Sequence, residues 1–338
     1  MKWILTLLAS VVIVTIANIA NADESGPKAT PASQGAVHRA LTADDEQFFT
    51  TDDGVRLGYR EKGAVDGPPV IFLHGGPGEG SQTFAKFAGP DLESRLRMIY
   101  LDQRGSGRSE RPKRSRKYSI SRMVSDVEQL RMHLGVPRIE IIGHSFGTIL
   151  ALEYAARYPE RVSRMVLVSS IADFPAVMNA LCNRLATADP LAYARAVNAR
   201  DQATFRVCNP FAAYDGAAMQ AYLDRNMFPD PAVAREVDAT DSAGGLGNTG
   251  ESSQALFERG LARYRFKKYA SISMPVLLIA GERDLETPPE LQKDLAKQLP
   301  HAKVIVYPAG GHFMFVEQPA RFGSDVSNFL AAARRSHE

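Results

Sequence analysis

Ser145 stands between two glycines in Gly143-His144-Ser145-Phe146-Gly147, where an apolar run that begins at Ile139 gives way to a Leu-rich, small-residue segment. A strand that turns sharply into a helix at Gly-x-Ser-x-Gly lifts the serine hydroxyl above the sheet and aims the helix N-terminus at it. The glycines let the backbone fold tightly there. A serine hydroxyl is a weak nucleophile at neutral pH. It needs a base to take its proton and an acid to orient that base. In such a chain the acid comes after the serine and the histidine comes last, each on a loop that follows a strand.

The chain has seven histidines. His38 and His337 lie toward the two ends, His133 falls in a helical pattern, His301 precedes a strand, and His74 and His144 sit in glycine turns before or beside the serine. His312, in Ala309-Gly310-Gly311-His312, follows a late strand and is the expected base. The orienting acid should follow the apolar run 275–280. Glu282, Asp284 and Glu286 all do, with Asp284 the best placed and Glu286 the fallback. The developing oxyanion needs donors. One is the backbone N–H of Phe146, and the other should come from the glycine loop 74–78, where Gly76 is the choice and Gly75 nearly as well placed. His74 is expected to brace that loop. This chemistry is acyl transfer through a covalent acyl-enzyme, and it calls for no metal and no organic cofactor.

The elements that must hold these groups are legible as alternating patterns. Short apolar runs read as strands over 47–51 and 55–61, joined through Asp53-Gly54, and over 69–73, 97–101, 139–142, 162–168, 275–280 and 303–307. Helical spacing appears over 121–134, 146–158, 289–299 and from 319 to about 333. The alternation argues for an α/β chain with a mostly parallel sheet covered on both faces. The rhythm is lost over 171–267, which looks mostly helical with a break at Gly244-Gly245-Leu246-Gly247 and reads as an insertion above the sheet edge.

Composition bounds the partners. With 338 residues, 45% hydrophobic, 23% charged and a formal net charge of +2, the chain is globular and shows no basic stripe for nucleic acid. The basic stretch 108–117 reads as a solvated loop. At the N-terminus, Lys2, an uncharged run over 3–20 and Ala20-Asn21-Ala22 make a secretory signal peptide, 1–22, cut before Asp23. The protein is therefore expected to be exported, periplasmic or secreted, with a membrane as partner only if this segment stays uncleaved as an anchor. Residues 23–45 read as a flexible linker. Export permits a disulfide between Cys182 and Cys208, and two cysteines with no histidine nearby make a poor zinc site.

HGGPGEG at 74–80, DQRGSGRS at 102–109, GHSFG at 143–147, GERD at 281–284 and GGH at 310–312 resemble, in this order, the proline iminopeptidase-like serine peptidase branch of the α/β-hydrolase fold. The resemblance implies an eight-stranded, mostly parallel sheet with helices on both faces, built from 46–170 and 268–338, and a helical cap at 171–267 that covers the site. It implies Ser145 as nucleophile, Asp284 as acid, His312 as base, and a short peptide or small molecule as substrate. This chain departs from the branch at the elbow, where those peptidases usually carry Gly-Gly-Ser-Trp-Gly. Their caps also hold acids for the substrate's amino group; Glu236, Glu251 and Glu258 are the candidates here, and each reads more readily as part of a solvated helix face. A carboxylesterase or other small-molecule acyl hydrolase, and from another class a ligand-binding member with low turnover, are the alternatives. Perhydrolase chemistry stays open. Dehalogenases and epoxide hydrolases use a carboxylate at the elbow, where this chain has serine.

Overall fold

The computed structural model describes residues 46–64, 67–200, 205–243 and 250–331. The expected signal peptide, the linker and the Gly244-Gly245-Leu246-Gly247 break lie outside the described residues, as do His38 and His337. Among the described residues, no helix is long and apolar enough to cross a membrane.

Eight strands form one sheet: β1 Glu46–Thr50, β2 Arg56–Gly63, β3 Pro69–Leu73, β4 Arg97–Leu101, β5 Ile139–His144, β6 Val162–Val168, β7 Val276–Gly281 and β8 Ala302–Tyr307. Their order across the sheet is β1-β2-β4-β3-β5-β6-β7-β8. Only β2 runs against its neighbours, β1 and β4; the other pairings are parallel. Every residue of β3, β5 and β7 is buried, as expected of central strands covered on both faces.

Among the described residues there are twelve α-helices. They are α1 Gln82–Phe87, α2 Gly89–Glu93, α3 Ile120–His133, α4 Phe146–Arg157, α5 Phe174–Ala188, α6 Pro190–Asn198, α7 Gly216–Met227, α8 Pro231–Ala243, α9 Glu251–Glu258, α10 Pro289–Gln298, α11 Met314–Glu317 and α12 Pro319–Ala331. The short helices α1, α2 and α11 carry too few turns for a readable period. On one face of the sheet, Ile71, Ile141, Leu167 and Leu278 pack with Val127 and Leu130 of α3, Ile149 of α4 and Leu295 of α10. On the other, Phe72, Ile142, Val166 and Ile279 pack with Phe84 of α1, Leu92 of α2, and Phe322 and Val326 of α12. Each such side chain, fully buried, contributes about 1.5–3 kcal/mol.

Helices α5 to α9 are inserted between β6 and β7. The insertion leaves and re-enters the core through a narrow neck. Asp173 and Arg265 form an antiparallel bridge there, Phe174 N–H donates to the Tyr264 carbonyl at 3.0 Å, and Phe266 N–H donates to the Ala172 carbonyl at 2.7 Å. A separate apolar cluster of Leu185, Ala192, Ala196, Met219 and Leu223 joins α5, α6 and α7. Cys182 and Cys208, both buried in this cluster, form a disulfide.

The chain crosses from one half of the sheet to the other between β3 and β5. These two neighbours are reached from opposite directions, so the loops after them diverge and leave a crevice at their carboxyl ends. The pairing of Leu73 with Gly143 brings the His74 loop beside Ser145.

Candidate active site

Ser145 occupies the sharp turn between β5 and α4, with φ 49° and ψ −120°. This is sparsely populated backbone for a residue with a side chain, and it persists only when the surroundings impose it. They do. Ser145 N–H donates to the Val168 carbonyl at 3.0 Å, and its carbonyl accepts from Thr148 N–H at 2.9 Å and Thr148 Oγ1 at 2.6 Å. The flanking glycines are required by space. A Cβ on Gly147 would stand 2.0 Å from the Leu73 carbonyl oxygen, and one on Gly143 would stand 2.9 Å from the Gly147 carbonyl oxygen.

Asp284 and His312 follow β7 and β8 and meet at the same edge. His312 Nδ1 donates to Asp284 Oδ2 across 2.9 Å. The acid is held by three further donors: Thr287 Oγ1 at 2.6 Å, Thr287 N–H at 2.9 Å and Glu286 N–H at 3.0 Å. Burial would raise the Asp284 pKa, but His312 and Thr287 outweigh it and hold the group at about 2. Burial would likewise lower His312. The charge and hydrogen bond of Asp284, followed by Glu286 and Glu79, push it up to about 9. The two loops lie against each other because Gly281 has no side chain; a Cβ there would sit 2.1 Å from the Gly311 carbonyl oxygen.

Two contacts join the serine's turn to the histidine's loop. His144 is buried and neutral, its pKa pushed down to about 3 by burial and by His312. Its Nε2–H donates to the His312 carbonyl at 3.1 Å, and the two rings pack edge to face at 4.9 Å. Ser169 Oγ donates to the same carbonyl at 3.1 Å. Among the described residues, the Ser145 hydroxyl itself makes no hydrogen bond.

The loop after β3 completes the site. Gly75 is buried against Ser145, and Gly76 is exposed with φ 104°. Neither Gly75 N–H nor Gly76 N–H donates to another backbone group among the described residues, so both remain free for an oxygen of a ligand. His74 braces the loop. Its Nδ1–H donates to the Gly75 carbonyl at 3.0 Å and its Nε2 accepts from Gln103 N–H at 3.0 Å. Gln103 Nε2 returns a bond to the His74 carbonyl at 2.8 Å. The next residue, Arg104, is fully buried. Its guanidinium grips Asp126 of α3 at 2.6 and 2.7 Å and reaches Asp53 at 3.1 and 3.2 Å. HGGPG and DQRG are thus one braced unit.

A family model described as the alpha/beta hydrolase fold matches residues 68–319. The chain belongs to the α/β hydrolase fold family. The hydrolase is 31% identical over 291 residues to a Bacillus subtilis (strain 168) protein named for 2-succinyl-6-hydroxy-2,4-cyclohexadiene-1-carboxylate synthase activity, covering 84% of this chain and 98% of that one. It is 28% identical to a proline iminopeptidase of Xylella fastidiosa (strain 9a5c), covering 82% of this chain and 94% of the relative. Among solved structures, a proline iminopeptidase-related protein of Thermus thermophilus superposes with a TM-score of 0.69 at 26% identity, covering 86% of this chain and 98% of that one.

The inserted helices of the hydrolase hold the site in a way no motif announces. The Asn226 carbonyl, in the last turn of α7, accepts from Leu285 N–H at 2.8 Å, and the Met227 carbonyl accepts from His312 N–H at 2.7 Å. Phe228 stacks on Phe313 at 4.9 Å. One helix end therefore clamps both the acid loop and the base loop. The three insertion acids named from sequence lie elsewhere. Glu236 pairs with Lys86 at 2.7 Å at an exposed position, Glu258 is exposed and accepts from Gln254, and Glu251 stands at the start of α9, where its charge acts on Tyr118. Besides Asp284, the carboxyls that act on His312 are Glu286 and Glu79. Glu79 was not singled out from the sequence. Its one signal is its place in His74-Gly75-Gly76-Pro77-Gly78-Glu79-Gly80, four residues beyond Gly75.

Proposed function

We propose that the protein is an exported serine hydrolase that works through Ser145, His312 and Asp284, and that it acts as a proline iminopeptidase-like aminopeptidase on short peptides. The observation that carries the reading is the His312–Asp284 pair, 2.9 Å apart, on a loop tied to the strained serine turn through His144. Ser145 attacks a carbonyl carbon while His312 Nε2 takes its proton. The bond between these two forms as substrate binds, because catalytic hydrogen bonds are often loose in the free enzyme. The N–H of Phe146 and one from Gly75 or Gly76 hold the oxyanion. His312 then protonates the leaving group, and water releases the acyl group by the same steps in reverse.

Support for the peptidase reading comes from the relatives named proline iminopeptidase. Support for export comes from the Cys182–Cys208 disulfide, a bond that persists in oxidising compartments. An esterase reading is favoured by the Gly-His-Ser-Phe-Gly elbow, and a relative named for carbamate hydrolysis in Caulobacter sp. (strain K31) is 29% identical over 286 residues. The decisive experiment pairs a fluorophosphonate probe with two substrates. The wild type should label and Ser145→Ala should not; labelling of the variant would remove Ser145 as nucleophile. Faster turnover of proline β-naphthylamide than of p-nitrophenyl acetate supports the peptidase, and the reverse supports the esterase. Labelling without turnover of either points to a ligand-binding role.

A further inference from the structure

Glu79 lies beside the proposed nucleophile with no partner among the described residues. A Cβ on Gly75 would lie 2.9 Å from Glu79 Oε2, 3.1 Å from His144 Nδ1 and 3.2 Å from Ser145 Cβ. The Glu79 carboxylate is thus no farther from Ser145 Cβ than the first and last of these distances laid end to end. Among the described residues it accepts no hydrogen bond and joins no ion pair. Burial and the charges of Asp241 and Glu286 push its pKa up to about 8, against the pull of His312. The charges that act on Glu79 thus come from the end of α8 and from the loop after β7. The histidine that faces them is already bonded to Asp284.

A second buried group lies on the same side. Tyr222 of α7 is 7% exposed, and its hydroxyl has no hydrogen bond of good geometry among the described residues; burial pushes its pKa up, and Asn226, Arg184 and Glu286 also act on it. A buried hydroxyl and a half-buried carboxyl without partners cost free energy until a ligand answers them. The arrangement does not suit a metal ion: among the described residues, no three His, Cys, Asp or Glu side chains are grouped to hold one. An organic cation suits it better. In a residue with a free amino end, the ammonium nitrogen lies about 2.5 Å from the carbonyl carbon, two bonds away. A carbonyl poised for attack lies about 3–3.5 Å from the serine oxygen. The ammonium of such a residue falls within reach of a carboxylate placed as Glu79 is.

We infer that Glu79 is a specificity-determining residue that selects the charge of the acyl group, binding a cation on the carbon next to the scissile carbonyl and repelling a carboxylate there. The inference rests on the acyl-transfer reading of Ser145 and narrows the aminopeptidase reading. Three methyl esters of nearly equal shape test it: glycine methyl ester, methyl propionate and monomethyl malonate, which carry an ammonium, a methyl and a carboxylate at that carbon. The wild type should prefer them in that order by kcat/KM. Glu79→Gln, which keeps the shape, should cut the glycine-to-propionate ratio at least about tenfold at pH 7, where the ester carries its ammonium, and raise the malonate-to-propionate ratio at pH 9, where Glu79 is ionised, and Glu79→Asp should restore part of the preference. Binding of glycinamide, propionamide and malonamate, measured by calorimetry, gives the same comparison without turnover. Ratios and affinities that are the same in wild type and Glu79→Gln would overturn the assignment. If the charge order holds in the esters while proline β-naphthylamide is not cut, the peptidase reading falls and Glu79 keeps its role. If the anilide is cut and the charge order is flat, Glu79 loses its role and the peptidase reading stands.

Discussion

Replacing Asp284 by asparagine keeps its shape and removes its charge, which separates two tasks of that residue. The carboxylate accepts four hydrogen bonds, from His312 Nδ1, Thr287 Oγ1, Thr287 N–H and Glu286 N–H. An amide has one acceptor oxygen. If that oxygen meets the two backbone N–H groups, the NH₂ faces His312 Nδ1, and the ring must carry its proton on Nε2. That tautomer cannot take a proton from serine, and the expected loss is ~10⁴ in rate. The charge has its own effect. A base works when neutral, so wild-type kcat/KM should rise with pH through a limb near the His312 pKa of about 9. Without Asp284 the strongest influence that raises His312 is gone, and the limb should move toward or below the ordinary histidine value of about 6.5. Near pH 6.5 only ~0.3% of wild-type His312 is neutral, against about half in the variant, so the penalty should shrink from ~10⁴ above pH 9 to ~10². The assay is kcat/KM for p-nitrophenyl acetate from pH 5 to 10, with enzyme concentration varied to remove background hydrolysis. A penalty that stays constant across pH, or a limb that does not move, would refute the reasoning that Asp284 sets both the tautomer and the charge of His312.

The same pair makes stability depend on pH. The folded His312 pKa lies above the unfolded one, so its contribution is full below about pH 6.5 and is lost as pH rises through about 9; urea melts should show this decline in the wild type and little of it in Asp284→Asn. Arg104→Met should cost about 3–5 kcal/mol, because it strands Asp126. Asp126 is already pushed up to about 6, by burial against the pull of Arg104, and a stranded carboxyl can take up a proton, so denaturation curves should show a smaller penalty at pH 5 than at pH 8. Gly147→Ala should abolish fluorophosphonate labelling, since its Cβ would meet the Leu73 carbonyl oxygen at 2.0 Å; labelling at the wild-type rate would show that the turn can open without loss. Replacing Cys182 and Cys208 together by alanine should lower unfolding free energy by about 3–4 kcal/mol on the loop-closure estimate, read by urea titration under oxidising conditions.

The alternation of strands and helices was legible because a parallel sheet covered on both faces demands unbroken apolar runs, and β3, β4 and β6 begin and end where those runs do. The elbow was legible because Gly143 and Gly147 answer local crowding within a few residues. Asp284 could be ranked above Glu282 and Glu286 by its distance from β7, since a loop leaving a strand has few ways to turn. Glu79 was not legible in the same way. Its meaning depends on Asp241, Glu286 and His312, which the chain brings near it from more than 160 residues away. The acids of the insertion could not be placed from the sequence for a related reason. Helical spacing says which residues share a face, not what that face meets, and Glu236 turns out to meet Lys86. The pairing of Cys182 with Cys208 and the grip of α7 on the loops of Asp284 and His312 likewise arise from packing between elements distant in sequence. Local backbone geometry is written in neighbouring residues and can be read there. The charge of a site is a sum over groups that only folding brings together, and it was decided by the tertiary structure.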